Sequence, residues 1–255
     1  MTARGPRPPI RLATLLVLAL SALVSAPFAS ADPDPLRLSY QLTSDGSKIA
    51  QVVQTLDPVG PGRWRFRSKV IPAGILVSLV SGRIEETTEL EITDDRLRPL
   101  SYSFKRRGLG RDRDVTVRFD WSRKRAYNDV NGSRWSMAIP DNALDKHSLM
   151  LAVTADLRAD SLASAYPVAD GGRLKTYRHE RVGEERLTTP LGVLDTVKLR
   201  RVRPGRQQDT LFWHAPTLDF FPVRIERRDR NGRRLRMTLT ELERKPTDTM
   251  NRAGQ

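Results

Sequence analysis

Residues 115–121 read Val-Thr-Val-Arg-Phe-Asp-Trp, and this run shows the pattern that decides the fold. Its apolar members are Val115, Val117, Phe119 and Trp121, which alternate with Thr116, Arg118 and Asp120. Successive side chains of a strand point to opposite faces of a sheet, so the run predicts a strand with one apolar and one polar face. Two earlier runs alternate in the same way, around Trp64 and Phe66 and around Tyr102 and Phe104.

Turn residues separate these runs. Asn131-Gly132 follows a run that ends at Val130, and Asn231-Gly232 precedes the alternating residues 235–239. Asn-Gly supplies the positive φ values that a tight hairpin turn needs, and Asp45-Gly46 is a third candidate. Short strands with frequent turns favour a mainly β fold built as a meandering antiparallel sheet.

One segment departs from the strand pattern. Residues 143–163 contain no Gly or Pro and are rich in Ala and Leu. The residues that recur at helical spacing are Leu149, Val153 and Leu157. Asp141 or Asn142 is the expected N-cap, and Pro167 bars an extension of the helix. The sequence therefore predicts one central helix segment near 143–163, or two short helices broken near Asp160-Ser161.

The N-terminus has the order of a secretory signal peptide. Arginines precede a mostly apolar stretch between Leu12 and Val24, and the small residues Ala29-Ser30-Ala31 follow it. The apolar core of about a dozen residues is shorter than the ~20 that a membrane-spanning helix needs, although an N-terminal anchor is the alternative. We expect a signal peptide at 1–31 that is cut after Ala31, a single β-rich domain at 32–245 and a disordered tail at 246–255.

Composition narrows the chemistry and the partners. The chain has no cysteine, which excludes disulfides, thiolate metal sites, cysteine nucleophiles and a lipidated cysteine. The formal net charge is +14, and the three arginines before Asp32 account for three of these charges, which leaves +11 for the rest. Such a surface attracts anionic partners, including an anionic membrane surface. Because export separates the protein from the chromosome, we expect no nucleic-acid partner.

Several stretches, taken in order and spacing, carry a resemblance to a known family. They are Thr189-Pro190-Leu191-Gly192 leading into Val197-Lys198-Leu199, Phe212-Trp213, residues 221–226 (Phe-Pro-Val-Arg-Ile-Glu), and upstream Phe119-Asp120 and the Asp-rich residues 141–145. From about Leu36 to Leu242 the chain resembles DUF3108, a family of exported bacterial proteins of unknown function. The resemblance implies a periplasmic protein of a Gram-negative bacterium with a strongly curved antiparallel sheet, an open barrel or β-roll. It implies no catalytic residue.

The same residues also have a structural interpretation. Pro190 and Gly192 suit a turn between strands. Pro222 suits the first position of a strand, where a missing N–H does no harm. Trp213 and Phe221 are expected in the core.

The histidines match no catalytic or metal-binding motif. They are His147, His179 and His214, and no two stand at a spacing typical of metal ligands. Asp145, His147 and Ser148 are too close in sequence to converge as a catalytic triad. We expect His179 on an exposed strand and His214 at a strand end. The sequence predicts no catalytic residue, metal or cofactor, and it favours a function other than catalysis.

The acidic and glycine-rich stretches likewise indicate no particular catalytic or binding site. Glu85-Glu86 lies in residues 84–92, a Thr- and Glu-rich stretch that predicts a more solvated strand. Neighbouring strand residues point to opposite faces, so neither this pair nor Glu184-Glu185 can act as the two carboxylates of a glycosidase. Gly108-Leu109-Gly110 is interpreted either as an anion-binding loop or as a solvated turn.

Two functional hypotheses follow. The first is a carrier that binds a hydrophobic or lipid-like envelope molecule between the concave face of the sheet and the helix. Its ligand-binding candidates are Trp64, Phe66, Tyr102, Phe104, Phe119, Trp121, Leu149 and Val153. Ile75, Leu76, Leu79 and Val80 would form an apolar lip, and Arg106, Arg107 and Arg111 an anionic-headgroup rim.

The second hypothesis is an envelope scaffold or interaction protein. Its sheet would be filled, and an Arg-rich face would dock an anionic partner without a ligand pocket. The state of the interior distinguishes the two, because a continuous cavity above ~300 Å³ favours the carrier and a filled interior favours the scaffold.

Overall fold

The computed structural model describes residues 33–74, 83–93, 96–108, 112–202, 210–229 and 231–245. The first eight strands are β1 (Leu36–Ser44), β2 (Ser47–Gly60), β3 (Arg63–Pro72), β4 (Arg83–Thr93), β5 (Arg96–Arg107), β6 (Arg113–Asp120), β7 (Arg125–Val130) and β8 (Ser133–Ala138). A short strand β9 (Leu144–Asp145) and helix α1 (Leu149–Arg158) follow. The later strands are β10 (Tyr166–Asp170), β11 (Arg173–Thr189), β12 (Gly192–Val202), β13 (Thr210–His214), β14 (Pro222–Arg228) and β15 (Arg234–Arg244), with a 3₁₀ turn at Pro216–Leu218.

The strands form one 15-stranded sheet in the order β8-β7-β6-β5-β4-β3-β2-β1-β15-β14-β13-β12-β11-β10-β9. Two antiparallel meanders, β1–β8 and β10–β15, join where β1 pairs with β15. The short β9 pairs parallel with β10. Strands β8 and β9 are the two edges, so the sheet is not closed. The predicted mainly β, antiparallel fold with one helix segment is confirmed.

The two ends of the sheet approach each other. Trp135 lies on edge strand β8, and its indole N–H donates to the carbonyl oxygen of Gly172, between β10 and β11, at 2.8 Å. Gly172 has φ +75, and a Cβ there would lie 1.9 Å from the indole ring. Glycine is therefore required at this contact. The contact shows strong curvature, because it joins strands from opposite ends of the strand order.

The helix is shorter than the sequence predicts. It spans Leu149–Arg158 instead of 143–163, because Leu144 and Asp145 first pair with β10 as a strand. It ends just before Asp160, whose φ of +48 turns the chain out of the helix, close to the predicted break.

The expected N-caps, Asp141 and Asn142, are wrong. Asp145 lies immediately before the turn that leads into α1, and its Oδ1 accepts from the backbone N–H of His147 at 2.7 Å and of Ser148 at 2.9 Å. Ser148 Oγ in return accepts from the Asp145 backbone N–H at 3.1 Å. This reciprocal pattern closes the turn that leads into α1, while the N-cap position itself is Ser148, which makes no side-chain cap hydrogen bond.

Two of the three predicted tight turns are confirmed. Asn131 and Gly132 have φ values of +52 and +87 between β7 and β8, and Asp45 and Gly46 have +48 and +90 between β1 and β2. These are the paired positive φ values of a two-residue hairpin turn.

The tight turn predicted at Asn231-Gly232 is wrong. The loop runs from Asp229 to Arg233 and is closed by the Asp229 backbone N–H, which donates to the Arg233 oxygen at 2.9 Å. The Asp229 carboxylate accepts from the backbone N–H groups of Asn231 and Arg233, and this stabilises the wider loop. Gly232 still has a positive φ, +80.

Three buried clusters make up the core. The first centres on β1–β3 and β13–β15 and includes Trp64, Phe66, Trp213 and Phe221. The second joins α1 to β10–β12, and the third joins β5, β6 and β7. Leu151 of α1 belongs to the first cluster, while Leu149, Val153 and Leu157 belong to the second. The helix therefore packs on both meanders.

Some predictions concern residues outside the described ranges. They are the signal peptide at 1–31, the apolar lip at Ile75, Leu76, Leu79 and Val80, Arg111 of the rim, and the tail at 246–255. Within the described ranges, no helix combines the length and the hydropathy that crossing a membrane would require.

Candidate functional site

The residues predicted to line a pocket share one face of the sheet. Phe66 is the cross-strand partner of Thr88, which is in turn the partner of Tyr102, and such partners lie on the same face. Six of the eight candidates are buried: Trp64, Phe66, Tyr102, Phe119, Leu149 and Val153. Phe104 and Trp121 are partly buried against the third cluster. The structure brings the strand residues to one face as predicted, while an open pocket among them stays a prediction.

The segment that contains β9 and α1 covers this face. The His147 ring stacks on Phe66 with 4.0 Å between centroids. The Lys146 ammonium lies 5.0 Å from the centre of the Phe104 ring. Leu151 packs in the same cluster as Trp64 and Phe66. The chain itself thus occupies the space in which the carrier hypothesis places a ligand.

A buried polar cluster holds this segment against the sheet. Thr88, on β4, donates its hydroxyl to Asp145 Oδ1 at 3.0 Å and lies 3.3 Å from His147 Nδ1. Thr88, Asp145 and Ser148 have no exposed surface. Among the described residues, Asp145 Oδ2 and His147 Nε2 have no hydrogen-bond partner. Ser148 Oγ accepts from the Asp145 backbone N–H at 3.1 Å and donates to the Asp145 carbonyl oxygen at 3.3 Å.

Burial sets the protonation states of this cluster. Loss of solvent raises the pKa of Asp145, against the opposing hydrogen bonds from Ser148, His147 and Thr88. The same cause lowers the pKa of His147 to about 4. His147 is therefore neutral at pH 7, and this cluster joins the segment to the sheet through uncharged imidazole and hydroxyl groups.

The sequence interpretation missed the inward polar side chains of β4. Glu86 accepts from the Tyr102 hydroxyl at 3.2 Å, which joins β4 to β5, and from Lys146 Nζ at 3.1 Å, which joins β4 to the β9–α1 segment. The predicted solvated strand is wrong for this face, on which Thr88 and Leu90 are fully buried. Glu86, Thr88 and Leu90 alternate along β4 and therefore point to one face of the sheet. Because two of them are polar, the sequence pattern did not identify this face as the buried one.

The other histidines are buried as well. His179 lies on β11, most of whose residues are exposed as predicted, but its own side chain is only 6% exposed, and burial lowers its pKa to about 3. His214 ends β13 as predicted, and its Nδ1–H donates to the Phe220 carbonyl oxygen at 2.7 Å. Burial lowers the pKa of His214 to about 4. Within the described residues, no group of acids and histidines is arranged to hold a metal ion.

Among the clefts that the described residues form on the outer surface are four with volumes of about 350, 540, 380 and 260 Å³. None of the eight pocket candidates lines any of these four. The first lies between the end of α1 and the β11–β12 hairpin, and the second on β6–β8. The third, which we call the arginine notch, is lined by Thr43, Asp45, Gly46, Arg228, Arg234 and Arg236.

Cross-strand ion pairs cover much of the outer face. Examples are Arg65–Glu89 at 2.8 Å between β3 and β4, and Lys198–Glu185 at 3.0 Å and Arg200–Glu180 at 2.6 Å between β11 and β12. Exposed pairs of this kind contribute little to stability, about 0–1 kcal/mol each. Their effect is to neutralise the middle of the sheet surface.

One group of arginines lies at one end of the sheet, while others, among them Arg63, Arg96 and Arg123, lie at the opposite end. The antiparallel registers place the β1–β2 and β14–β15 turns at the same end as the β3–β4 and β5–β6 connections. This end, which we call the basic end, carries Arg83, Arg106, Arg107, Arg113, Arg228, Arg233 and Arg234. Two residues of the predicted rim, Arg106 and Arg107, are among them.

The aspartates of the basic end are bound locally. Asp114 accepts two hydrogen bonds from Arg107, at 2.7 and 2.8 Å, so Arg107 is neutralised within the protein. Asp45 accepts from the Arg234 backbone N–H at 2.8 Å, and Asp229 accepts from the Arg233 side chain at 2.7 Å. Arg107 and Arg233 are thus paired with aspartates of this end, and the remaining positive charge belongs to its other arginines.

Comparison with known proteins gives a family and a fold. The model of the family described as "Protein of unknown function (DUF3108)" matches residues 38–240. No curated protein matches the sequence.

Solved structures are similar in fold at low sequence identity. A β-barrel-like protein of the domain of unknown function DUF1849, from Brucella abortus, is 10% identical with a TM-score of 0.51, over 84% of this chain and 98% of that one. A provisionally assigned lipoprotein from Parabacteroides distasonis is 12% identical with a TM-score of 0.32, over 83% and 96%. A provisionally assigned exported protein with a YmcC-like fold, from Bacteroides fragilis, is 10% identical with a TM-score of 0.34, over 84% and 97%.

Proposed function

The chain belongs to the DUF3108 family, and on that premise we propose that it is an exported envelope protein that docks on anionic phospholipid surfaces through its basic end. The observation that carries the proposal is the grouping of arginine-bearing turns at one end of the sheet. A basic side chain near an anionic membrane contributes about 1 kcal/mol to binding. Several basic side chains at one end of the sheet add their contributions to membrane binding, whereas the ion-paired residues in the middle of the sheet contribute little.

The neighbouring sequence supports a membrane surface as the partner. Gly74 and Arg83 stand at the basic end, and residues 75–80, which join them in the sequence, read Ile-Leu-Val-Ser-Leu-Val. Apolar residues beside basic ones are typical of proteins that lie on a membrane interface. The signal-like N-terminal sequence supports an envelope location, in the periplasm.

The β9–α1 segment on the concave face supports a filled interior and favours this proposal over the carrier. A hydrophobic ligand on the concave face would have to displace the β9–α1 segment. That movement would break the His147–Phe66 stack and the Thr88–Asp145 hydrogen bond. It would also expose Leu151, Leu149 and Val153, whose burial stabilises the fold by roughly 1.5–3 kcal/mol each.

Vesicle cosedimentation tests the proposal. Residues 32–255 should bind vesicles of phosphatidylglycerol and phosphatidylcholine, but not of phosphatidylcholine alone, and the binding should weaken at high salt. Arg83→Gln with Arg113→Gln should weaken it roughly thirty-fold, which is two arginines at ~1 kcal/mol each. The matched control is Arg63→Gln with Arg123→Gln, which removes the same charge at the opposite end. Equal losses in the two variants, or no preference for the anionic vesicles, would contradict the proposal.

Titration with a fluorescent fatty acid tests the carrier. We expect no saturable binding. Saturable binding that Leu149→Trp abolishes would restore the carrier hypothesis and place the ligand inside the sheet.

A further inference from the structure

Two arginines stand directly opposite each other at the basic end. Arg228, the last residue of β14, is the cross-strand partner of Arg234, the first residue of β15. Partners in an antiparallel pair project from the same face of the sheet with their Cβ atoms about 5 Å apart, and like charges in this position are destabilising. An opposite charge between the two side chains would remove the repulsion.

The nearby acids offset the charge of these arginines only in part. Asp45 lines the same cleft and carries a negative charge, and its Oδ1 accepts from the Arg234 backbone N–H at 2.8 Å. Asp229 accepts hydrogen bonds within its own loop, and Glu226 accepts from Arg236 at 2.7 Å. Arg228 and Arg234 therefore outnumber Asp45 in the cleft, so that a net positive charge remains there.

Arg228 and Arg234 line the same cleft. Both contribute to the arginine notch, which has a volume of about 380 Å³. Arg228 uses one N–H group to donate to the Gly232 carbonyl oxygen at 3.0 Å, which fixes it beside the β14–β15 loop. The β1–β2 turn forms the opposite wall, and the Asp45 backbone N–H donates to the Arg234 oxygen at 2.9 Å. These hydrogen bonds hold the two walls together around the cleft.

We propose that the arginine notch binds a phosphate group between Arg228 and Arg234. A guanidinium presents a planar set of donors that matches phosphate oxygens in pairs, so two facing arginines can hold one tetrahedral anion. The inference deepens the proposed function, on which it rests for the source of the phosphate. It names the chemical group that is bound and the residues that bind it.

Thermal unfolding with inorganic phosphate tests the site alone. Phosphate should raise the Tm of the wild type relative to chloride at equal ionic strength, because a ligand that binds the folded state stabilises it. Arg228→Gln with Arg234→Gln should abolish this increase. Arg63→Gln with Arg123→Gln should retain it. Without phosphate, Arg234→Gln alone should raise the Tm, because it removes the like-charge pair.

The outcomes separate this inference from the proposed function. Equal phosphate effects in the wild type and both double variants would overturn the site. Phosphate stabilisation that requires Arg228 and Arg234, without binding to phosphatidylglycerol vesicles, would support the site with free phosphate as its ligand and contradict membrane docking. Vesicle binding that the notch variant weakens more than the control would identify the lipid headgroup as the source. Vesicle binding that both variants weaken equally, with no phosphate effect on Tm, would overturn the notch.

Discussion

At the scale of single residues, the amino-acid type predicts the backbone conformation more directly than any other property. Asn131 and Gly132 adopt the positive φ values that their sequence predicts. The same dipeptide at 231–232 lies in a wider loop, because the Asp229 carboxylate captures two backbone N–H groups there. A dipeptide alone therefore predicts that glycine has a positive φ, but a neighbouring hydrogen-bond acceptor decides the type of turn.

Gly132→Val should destabilise the fold by roughly 1–3 kcal/mol, because a β-branched side chain resists positive φ. No atom lies within 4 Å of the position that a Cβ would take, so the loss would come from the backbone and not from a clash. Gly232→Val should behave in the same way. Urea denaturation measures the effect, with Gly60→Val, which has no positive φ, as the control. An unchanged midpoint in both turn variants would show that neither turn requires glycine.

At the scale of elements, α1 and its preceding strand determine what the curved sheet contains. The helical spacing of Leu149, Val153 and Leu157 identified the buried face of the helix, and all three are buried. The position at which α1 begins depends on Asp145, which accepts hydrogen bonds from its own turn and from Thr88 on β4. A contact between residues 57 positions apart cannot be inferred from local periodicity.

Leu149→Trp should destabilise the fold by about 1–3 kcal/mol, because the larger ring must enter a filled cluster. Ala155→Trp is the matched control, since Ala155 lies on the exposed face of the same helix. Urea denaturation of both variants measures the difference. If Leu149→Trp were as stable as the control, the interior would have room for a ligand, and the filled-interior argument would fail.

At the scale of the whole molecule, burial of all three histidines links stability to pH. Burial lowers the pKa values of His147 and His214 to about 4 and that of His179 to about 3. The unfolded chain binds protons at these residues near pH 6.5, whereas the folded chain does not. The free energy of unfolding should therefore fall as pH drops from about 6.5 to about 4. The raised pKa of Asp145 acts in the opposite direction, because the folded chain binds this proton above the ordinary carboxyl pKa of 3.8, so it offsets part of the fall within the same window.

Each histidine should contribute on the order of 1 kcal/mol per pH unit within that window. Urea midpoints at pH 7 and pH 5 measure the total, and His147→Gln should reduce the difference between them. An exposed substitution such as Arg173→Gln should leave the difference unchanged. Identical midpoints at the two pH values in the wild type would contradict the buried, neutral state of the histidines.

The sequence by itself determined the local properties of the described domain. Alternation predicted the strands around Trp64, Tyr102 and Phe119 and the face they share, because side-chain direction depends only on neighbouring residues. The order of family-like stretches predicted the family, which the match over residues 38–240 shows. Proline at 222 and the turn at 190–192 also lie where their backbone preferences suggest.

Only the tertiary structure decided which segment covers the concave face of the sheet and which side chains meet on its surface. It places the β9–α1 segment on the concave face, through Thr88 and Phe66, and it sets Arg228 against Arg234 beside a turn almost 190 residues earlier in the chain. Each of these arrangements depends on which strands pair across the sheet. Pairing between distant segments reflects the packing of the whole domain, so the cover on the concave face and the basic end emerge only when the chain is folded.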